Sequence, residues 1–209
     1  FGIRWPVNNS MSLLGVSLLA FALMAYGYLE ARRIRIEAVN ITTTKRLPPG
    51  GRITVAQLSD LHLGAMLGDQ FLQQVIAKLQ ESKPDIIVAT GDIIDGHGDD
   101  LNALAQRFRS IRTPGSMFAV TGNHEYFAGL ENSLRFLREA GFTVLRGEAS
   151  KTGGIILLGV DDHTAGNAPG QDVRADLKQA LASISKDDFV ILLKHQPLVD
   201  SDIPFDLQL

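Results

Sequence analysis

The sequence predicts an α/β domain behind an apolar N-terminal segment, and three observations carry that reading. Short β-rich apolar runs alternate with stretches whose apolar residues recur at helical spacing, the pattern of β-α units. From Trp5 to Leu29 no residue is charged, an apolar length that suits a bilayer core needing about 20 helical residues. Between the two lies a linker ending in LPPGG, Leu47 to Gly51.

The expected division is therefore residues 1–35, a transmembrane anchor with its basic flank, 36–51, a linker, and 52–209, the α/β domain. The interior MSLLGVSLLAFALMAYGYL has no polar repeat at helical spacing, which disfavours a one-sided core helix. The length of the run and the lack of a clear small-x-small site before Glu30 disfavour a cleaved signal peptide. Arg32, Arg33, Arg35, Lys45 and Arg46 follow the span while only Arg4 precedes it, so the positive-inside rule places the domain on the cytoplasmic side of a cell membrane.

Within the domain, ITVAQLS (53–59) is the first expected strand, followed by a helix whose face is Phe71, Leu72, Val75, Ile76 and Leu79 and which Pro84 stops. DIIVAT (85–90) leads to a second helix marked by Leu101, Leu104, Phe108 and Ile111. SMFAV (116–120) leads to a third, marked by Leu130, Leu134 and Leu137 and ending at Gly141. FTVL (142–145) and GIILLGV (154–160) are the next strands, then a fourth helix on Val173, Leu177, Leu181 and Ile184, then the strand DFVILLK (188–194). These continuous apolar runs are of the buried-strand type.

Composition narrows the chemistry. With 45% hydrophobic and 21% charged residues, the 209-residue chain can bury one good core. A net charge of -3 gives no basic footprint for nucleic acid. The absence of cysteine removes thiolate nucleophiles and zinc-thiolate sites. Oligomeric state is not legible.

In open α/β sheets, sites form where the strands exit at their carboxyl ends. Here the exits read SDLHLG (59–64), TGDIID (90–95), TGNHEY (121–126), GVDDH (159–163) and KHQP (194–197). Any one of them is as readily a cap or turn, because Asp, Asn and Ser favour such positions. Together they offer donors for a pair of divalent cations. Asp60 and His62 stand two apart and would project to one side of an extended exit. Asp92 has two oxygens with which to bridge ions, Asn123 a neutral carbonyl and His195 an imidazole. Oxygen and nitrogen donors without sulfur suit Mn, Fe, Zn or Ni. Two such ions about 3.5–4 Å apart would polarise a phosphoryl group and supply a metal-bound hydroxide at neutral pH. Asp161 and Asp162 are read as turn residues, and His97 and His163 as exposed loop histidines.

The series D-x-H at 60–62, GDxxD at 91–95, GNHE at 122–125 and H-x-P at 195–197 resembles the calcineurin-like metallophosphoesterases, from Ile53 to the end of the chain. The resemblance implies a four-layer α-β-β-α sandwich, with Asp60 and His62 on the first metal, Asp92 bridging, and Asn123 and His195 on the second. His124 would be catalytic rather than a ligand, facing the leaving-group oxygen as general acid or stabilising the phosphoryl charge. Glu125 would orient its neighbours rather than bind metal, and Asp95 would either do the same or cap a helix. The apolar anchor and basic flank look like the bacterial membrane-associated branch, whose relatives include phosphodiesterases linked to UDP-diacylglucosamine and lipid A chemistry. A phosphodiester or pyrophosphate substrate is implied, and by that branch a lipid-linked one. Members finish with a Gly-His-x-His element that does not occur in these 209 residues, and FDLQL resembles the strand preceding it. The expectation is thus a C-terminally truncated catalytic domain, weak or inactive alone, with the parent protein the enzyme. The alternatives are a membrane-tethered module that binds a phosphorylated ligand, or an inactive relict.

Overall fold

The computed structural model describes residues 9–48, 50–64, 67–95, 101–162, 180–182, 184–199 and 203–209. They fall into two compact units, Phe1–Glu37 and Ala38–Leu209.

The first unit is built on α1 (Asn9–Ala31), 23 residues long. At about 1.5 Å of rise per residue such a helix is long enough for a hydrocarbon core of about 30 Å. Its Ser10–Ala31 stretch is the one helix among the described residues long and apolar enough to cross a membrane, and none of its apolar window is buried. At its C-terminal end the Arg32 guanidinium lies 4.4 Å from the centre of the Tyr28 ring, and Arg35 pairs with Glu30.

The second unit begins its first sheet with β1 (Val55–Leu58), β2 (Ile86–Thr90), β3 (Met117–Val120) and β4 (Phe142–Val144), in the spatial order β1-β2-β3-β4 and with all neighbours parallel. Parallel neighbours need crossover connections, and helices supply them. These are α2 (Asp69–Ser82) after β1, α3 (Leu101–Arg109) after β2, and α4 (Asn123–Phe127) with α5 (Leu130–Glu139) after β3. The expected faces are the buried ones: Leu72, Val75, Ile76 and Leu79 on α2, Leu104 and Phe108 on α3, Leu134 and Leu137 on α5. Phe108 joins α3 to its neighbours, meeting Phe142 of β4 at 5.4 Å and Phe136 of α5 at 6.3 Å between ring centres. Helix α2 ends where Lys83 takes a left-handed conformation immediately before Pro84.

The second sheet contains β5 (Glu148–Thr152), β6 (Ile155–Gly159), β7 (Val190–Leu193) and β8 (Leu207–Gln208), in the order β5-β6-β7-β8. Only the β5–β6 pair is antiparallel. Strand β5 was not expected from the sequence, since EASKT lacks apolar alternation. A tight turn through Gly153 and Gly154, with φ of 53° and 81°, folds it back onto β6.

The two sheets face each other across one core. Ile86 and Val88 of β2, Phe118 and Val120 of β3, Ile155 and Leu157 of β6, and Ile191 and Leu193 of β7 form a single buried cluster. The alternate residues of the second sheet, Ile156, Leu158, Val190 and Leu192, turn outward and are covered by Ala180, Leu181 and Ile184. The described layers are thus helices, sheet, sheet and part of a cover. Most of the expected fourth helix, including Val173 and Leu177, lies outside the described residues, as do His97 and His163.

Candidate metal centre

Strands β1, β2, β3, β6 and β7 all deliver their carboxyl ends to one edge of the unit, where the polar exits meet. The β1 and β2 exits continue side by side. The Asp60 N–H donates to the Gly91 carbonyl at 3.1 Å, and the His62 N–H to the Asp92 carbonyl at 3.0 Å. The expected extended exit does not form, because φ is +55° at Asp60, +45° at His62 and +55° at Asp92. The only other described non-glycine residue with positive φ is the helix cap Lys83. Left-handed backbone outside glycine costs on the order of 1–3 kcal/mol per residue, and it persists where surrounding contacts fix it.

Asp92 is 3% exposed and sits at the centre of the group. Its Oδ1 accepts the His124 backbone N–H at 2.9 Å, while its Oδ2 lies 3.8 Å from His62 Nε2 and 3.4 Å from His195 Nε2. One donor atom each of His62, Asp92 and His124 lie within 4.8 Å of one another, and the same holds for Asp60, Asp92 and His195. The two groups share Asp92. Asp60 stands with His195 in one group and His62 with His124 in the other, and the edge gathers all four around one carboxylate.

His195 and Asn123 meet directly. The His195 Nδ1 stands 3.0 Å from the Thr90 carbonyl oxygen, an acceptor, so this nitrogen carries the ring proton. Its Nε2 then faces the Asn123 Oδ1 at 3.1 Å and the Asp92 Oδ2 at 3.4 Å. Three lone-pair atoms pointing at one another repel unless a proton or a cation lies between them. The donor set of oxygens and imidazole nitrogens therefore fits a divalent cation.

The segment that opens TGNHEY is a short helix rather than a loop. Gly122 is the N-cap of α4, and Glu125, wholly buried, reaches back to accept the Gly122 N–H at 2.7 Å. The same carboxylate accepts the N–H groups of Asp92 and Ile93, each at 2.9 Å. Glu125 thus fastens α4 to the β2 exit. A Cβ on Gly122 would overlap the Asp92 Oδ1 and stand 2.7 Å from the Asp92 nitrogen, so the close approach requires glycine. On the outer side of α4, the His124 Nδ1 lies 2.6 Å from the Asp95 Oδ1, and its ring meets His62 edge-on at 4.6 Å between centres. The exposed Asp60 takes a hydrogen bond from the hydroxyl of Ser59.

Behind α4 lies a polar cluster that sequence reasoning missed by assigning Asp161 to a turn. Asp161 and Asp162 are both buried, and Asp161 forms an ion pair with Arg146 at 2.8 Å. Burial pulls the Arg146 guanidinium down, but the Asp161 carboxylate more than offsets it and the group is raised. Burial likewise pushes the nearby Tyr126 phenol above its ordinary value. The cue in the sequence was an Asp-Asp pair at a strand exit with a lone Arg after the preceding parallel strand.

Comparison with known proteins agrees with this geometry. Residues 53–207 match the calcineurin-like phosphoesterase family. An uncharacterized metallophosphoesterase of Aquifex aeolicus is 42% identical over 182 residues, covering 87% of this chain and 69% of the relative. One from Helicobacter pylori is 30% identical over 69% of this chain. A bovine transmembrane protein with a metallophosphoesterase domain is 32% identical over 73% of this chain. The chain spans only 39% of the Helicobacter protein and 37% of the bovine one. The extent of the family match, the shared identity and the edge crowded with Asp, His and Asn lead to one conclusion: the chain belongs to the calcineurin-like phosphoesterase family.

Proposed function

We propose that this chain is the catalytic portion of a membrane-anchored phosphoesterase that works with two divalent cations and cleaves a phosphodiester or pyrophosphate. The observation that carries the reading is the convergence of His195 Nε2, Asn123 Oδ1 and Asp92 Oδ2, at 3.1 and 3.4 Å, with the imidazole proton engaged elsewhere. Asp60, His62 and Asp92 would hold one ion, and Asp92, Asn123 and His195 the other, drawn from Mn, Fe, Zn or Ni. Bound there, the pair would polarise the phosphoryl group and make water acidic enough to attack near neutral pH.

The remaining work falls to the chain. The contact of its Nδ1 with Asp95 orients the His124 ring, and a ring held at this edge is suited to give a proton to the departing oxygen or to balance phosphoryl charge. Glu125 keeps His124 and Asn123 in place through the backbone. Phe127, Leu198 and Val199 are large apolar residues that remain exposed, and each lies within a few residues of His124 or His195. Exposed Phe127, whose ring lies 5.7 Å from that of His124, supports a substrate with a lipid portion, and α1 supports attachment to a membrane, with the domain cytoplasmic by its basic flank.

The test uses the full-length parent protein in detergent. Manganese(II) should raise hydrolysis of bis(p-nitrophenyl) phosphate, and His124→Ala should retain metal while losing turnover. A parent protein that binds manganese and phosphate without turnover would be a phospho-ligand binding module. One that binds no metal would be a relict.

A further inference from the structure

We infer that Asp161, clamped by Arg146, is a positioning residue that reaches across from the second sheet and, through Thr121, sets the place of the helix bearing Asn123 and His124. The inference rests on the proposed metal centre for its functional meaning, but its geometry stands apart from any metal.

Thr121, Arg146 and Asp161 leave three different strands at the same edge: β3, β4 and β6. The Thr121 side chain is wholly buried, and its hydroxyl donates to Asp161 Oδ1 at 2.8 Å. The backbone N–H of Asp162 approaches the same hydroxyl at 3.5 Å. Arg146 Nε lies 2.9 Å from both oxygens of Asp161, and a terminal nitrogen lies 2.8 Å from Oδ2. The Asp161 side chain is 1% exposed and that of Arg146 17%. A carboxylate so deeply buried needs its cation, and the fork of the guanidinium fixes both oxygens in direction as well as charge.

What this fixed carboxylate holds is informative. Thr121 is the residue before Gly122, the N-cap of α4, and the next two residues are Asn123 and His124. From the opposite side, Glu125 holds the Gly122 N–H and the Asp92 N–H. The start of α4 is therefore gripped twice, once from β2 by Glu125 and once from the second sheet by Asp161. The first grip sets the helix against Asp92. The second prevents Thr121, and Gly122 with it, from sliding along the edge. Among the described residues Asp161 belongs to neither group of converging donor atoms, so its effect on a metal passes through α4.

The experiment measures amide hydrogen exchange of Gly122 and Asp92 in the metal-free full chain in detergent, then manganese(II) affinity of the same samples. Thr121→Val removes the hydroxyl at nearly constant shape, Thr121→Ser keeps it, and Arg146→Lys keeps the charge but loses the fork. Leu158→Ala, a cavity in the outer face of the second sheet, is the control for general loosening. Thr121→Val and Arg146→Lys should exchange the two amides about tenfold faster, the scale of one lost hydrogen bond. Their manganese affinity should fall about 10–100-fold, as for loss of a group that orients ligands, and Thr121→Ser should stay close to wild type. Wild-type exchange in both Thr121→Val and Arg146→Lys, or equal acceleration in Leu158→Ala, overturns the inference. A wild-type chain that takes up no manganese overturns the metal reading instead, while the exchange data still decide whether Asp161 positions α4.

Discussion

The imidazole of His195 gives its Nδ1 proton to the backbone carbonyl of Thr90 at 3.0 Å, which turns its Nε2 lone pair toward Asp92 Oδ2 at 3.4 Å. Folding therefore brings lone-pair atoms together, and a proton or a cation between them removes the repulsion. Manganese(II) should stabilise the full chain, by about 2.7 kcal/mol at a hundredfold excess over Kd, seen as a rise in Tm that EDTA reverses. His195→Ala should lose most of that rise while changing Tm in EDTA little. A metal-dependent rise of equal size in both proteins would place the ion elsewhere.

Gly122→Ala tests the closeness of α4 to Asp92. The backbone there, with φ of -101°, is one that alanine adopts freely, so any penalty comes from the collision of the new methyl with Asp92. The Asp92 carboxylate or α4 must shift, and misplacement by a fraction of an ångström is costly at a metal site. Turnover should fall about 100-fold, with the helical circular dichroism signal unchanged. Retained activity would mean that Asp92 does not need this position.

Much of the fold was legible because the strands are buried on both faces and so read as apolar runs. IIVAT of β2 is buried throughout, and nothing polar interrupts it. EASKT of β5 was not legible, because it lies at the edge of its sheet with largely uncovered side chains, and edge strands have no need of apolar alternation. The Gly153-Gly154 pair was the available cue. At the site, the types Asp60, His62, Asp92, Asn123, His124 and His195 stood out because strand exits rarely need them all. The left-handed backbone at Asp60 and His62 did not, since it is fixed by hydrogen bonds to Gly91 and Asp92 on the neighbouring exit, and spacing along one segment carries no information about them. The Asp161–Arg146 pair was hidden for a different reason. Its members are 15 residues apart in sequence and lie after strands of different sheets, and periodicity carries no information about partners of that kind.

Glu125→Gln is a sharper test than truncation. The carboxylate accepts three backbone N–H groups with its two oxygens, and a glutamine amide would turn an NH2 toward at least one of those donors. A buried donor left facing a donor costs about 1–3 kcal/mol. Urea unfolding should show a loss of that size, accompanied by weaker manganese binding. A variant as stable as wild type would mean that these three contacts do not hold α4 to the β2 exit.

Acid should reveal a second support, remote from the metal edge. The Asp188 carboxyl is held below its ordinary value, chiefly by the Ser185 backbone N–H, against the opposing effect of burial and with help from Lys151 and Arg46. The Ser185 N–H lies 3.1 Å from Oδ2 and the Lys151 Nζ 3.4 Å from Oδ1, while Arg46 pairs its backbone with this segment. With its pKa depressed on folding, Asp188 is ionised in the native chain at pH values where the unfolded chain already binds a proton. Its contribution is complete above the ordinary carboxylate range and disappears as pH falls through the native value. Asp188→Asn should therefore be less stable than wild type at pH 7, and the gap should close progressively below about pH 4. Urea midpoints measured from pH 7 to pH 3 decide the matter, since a gap that stays constant across that range would assign the loss to packing rather than to charge.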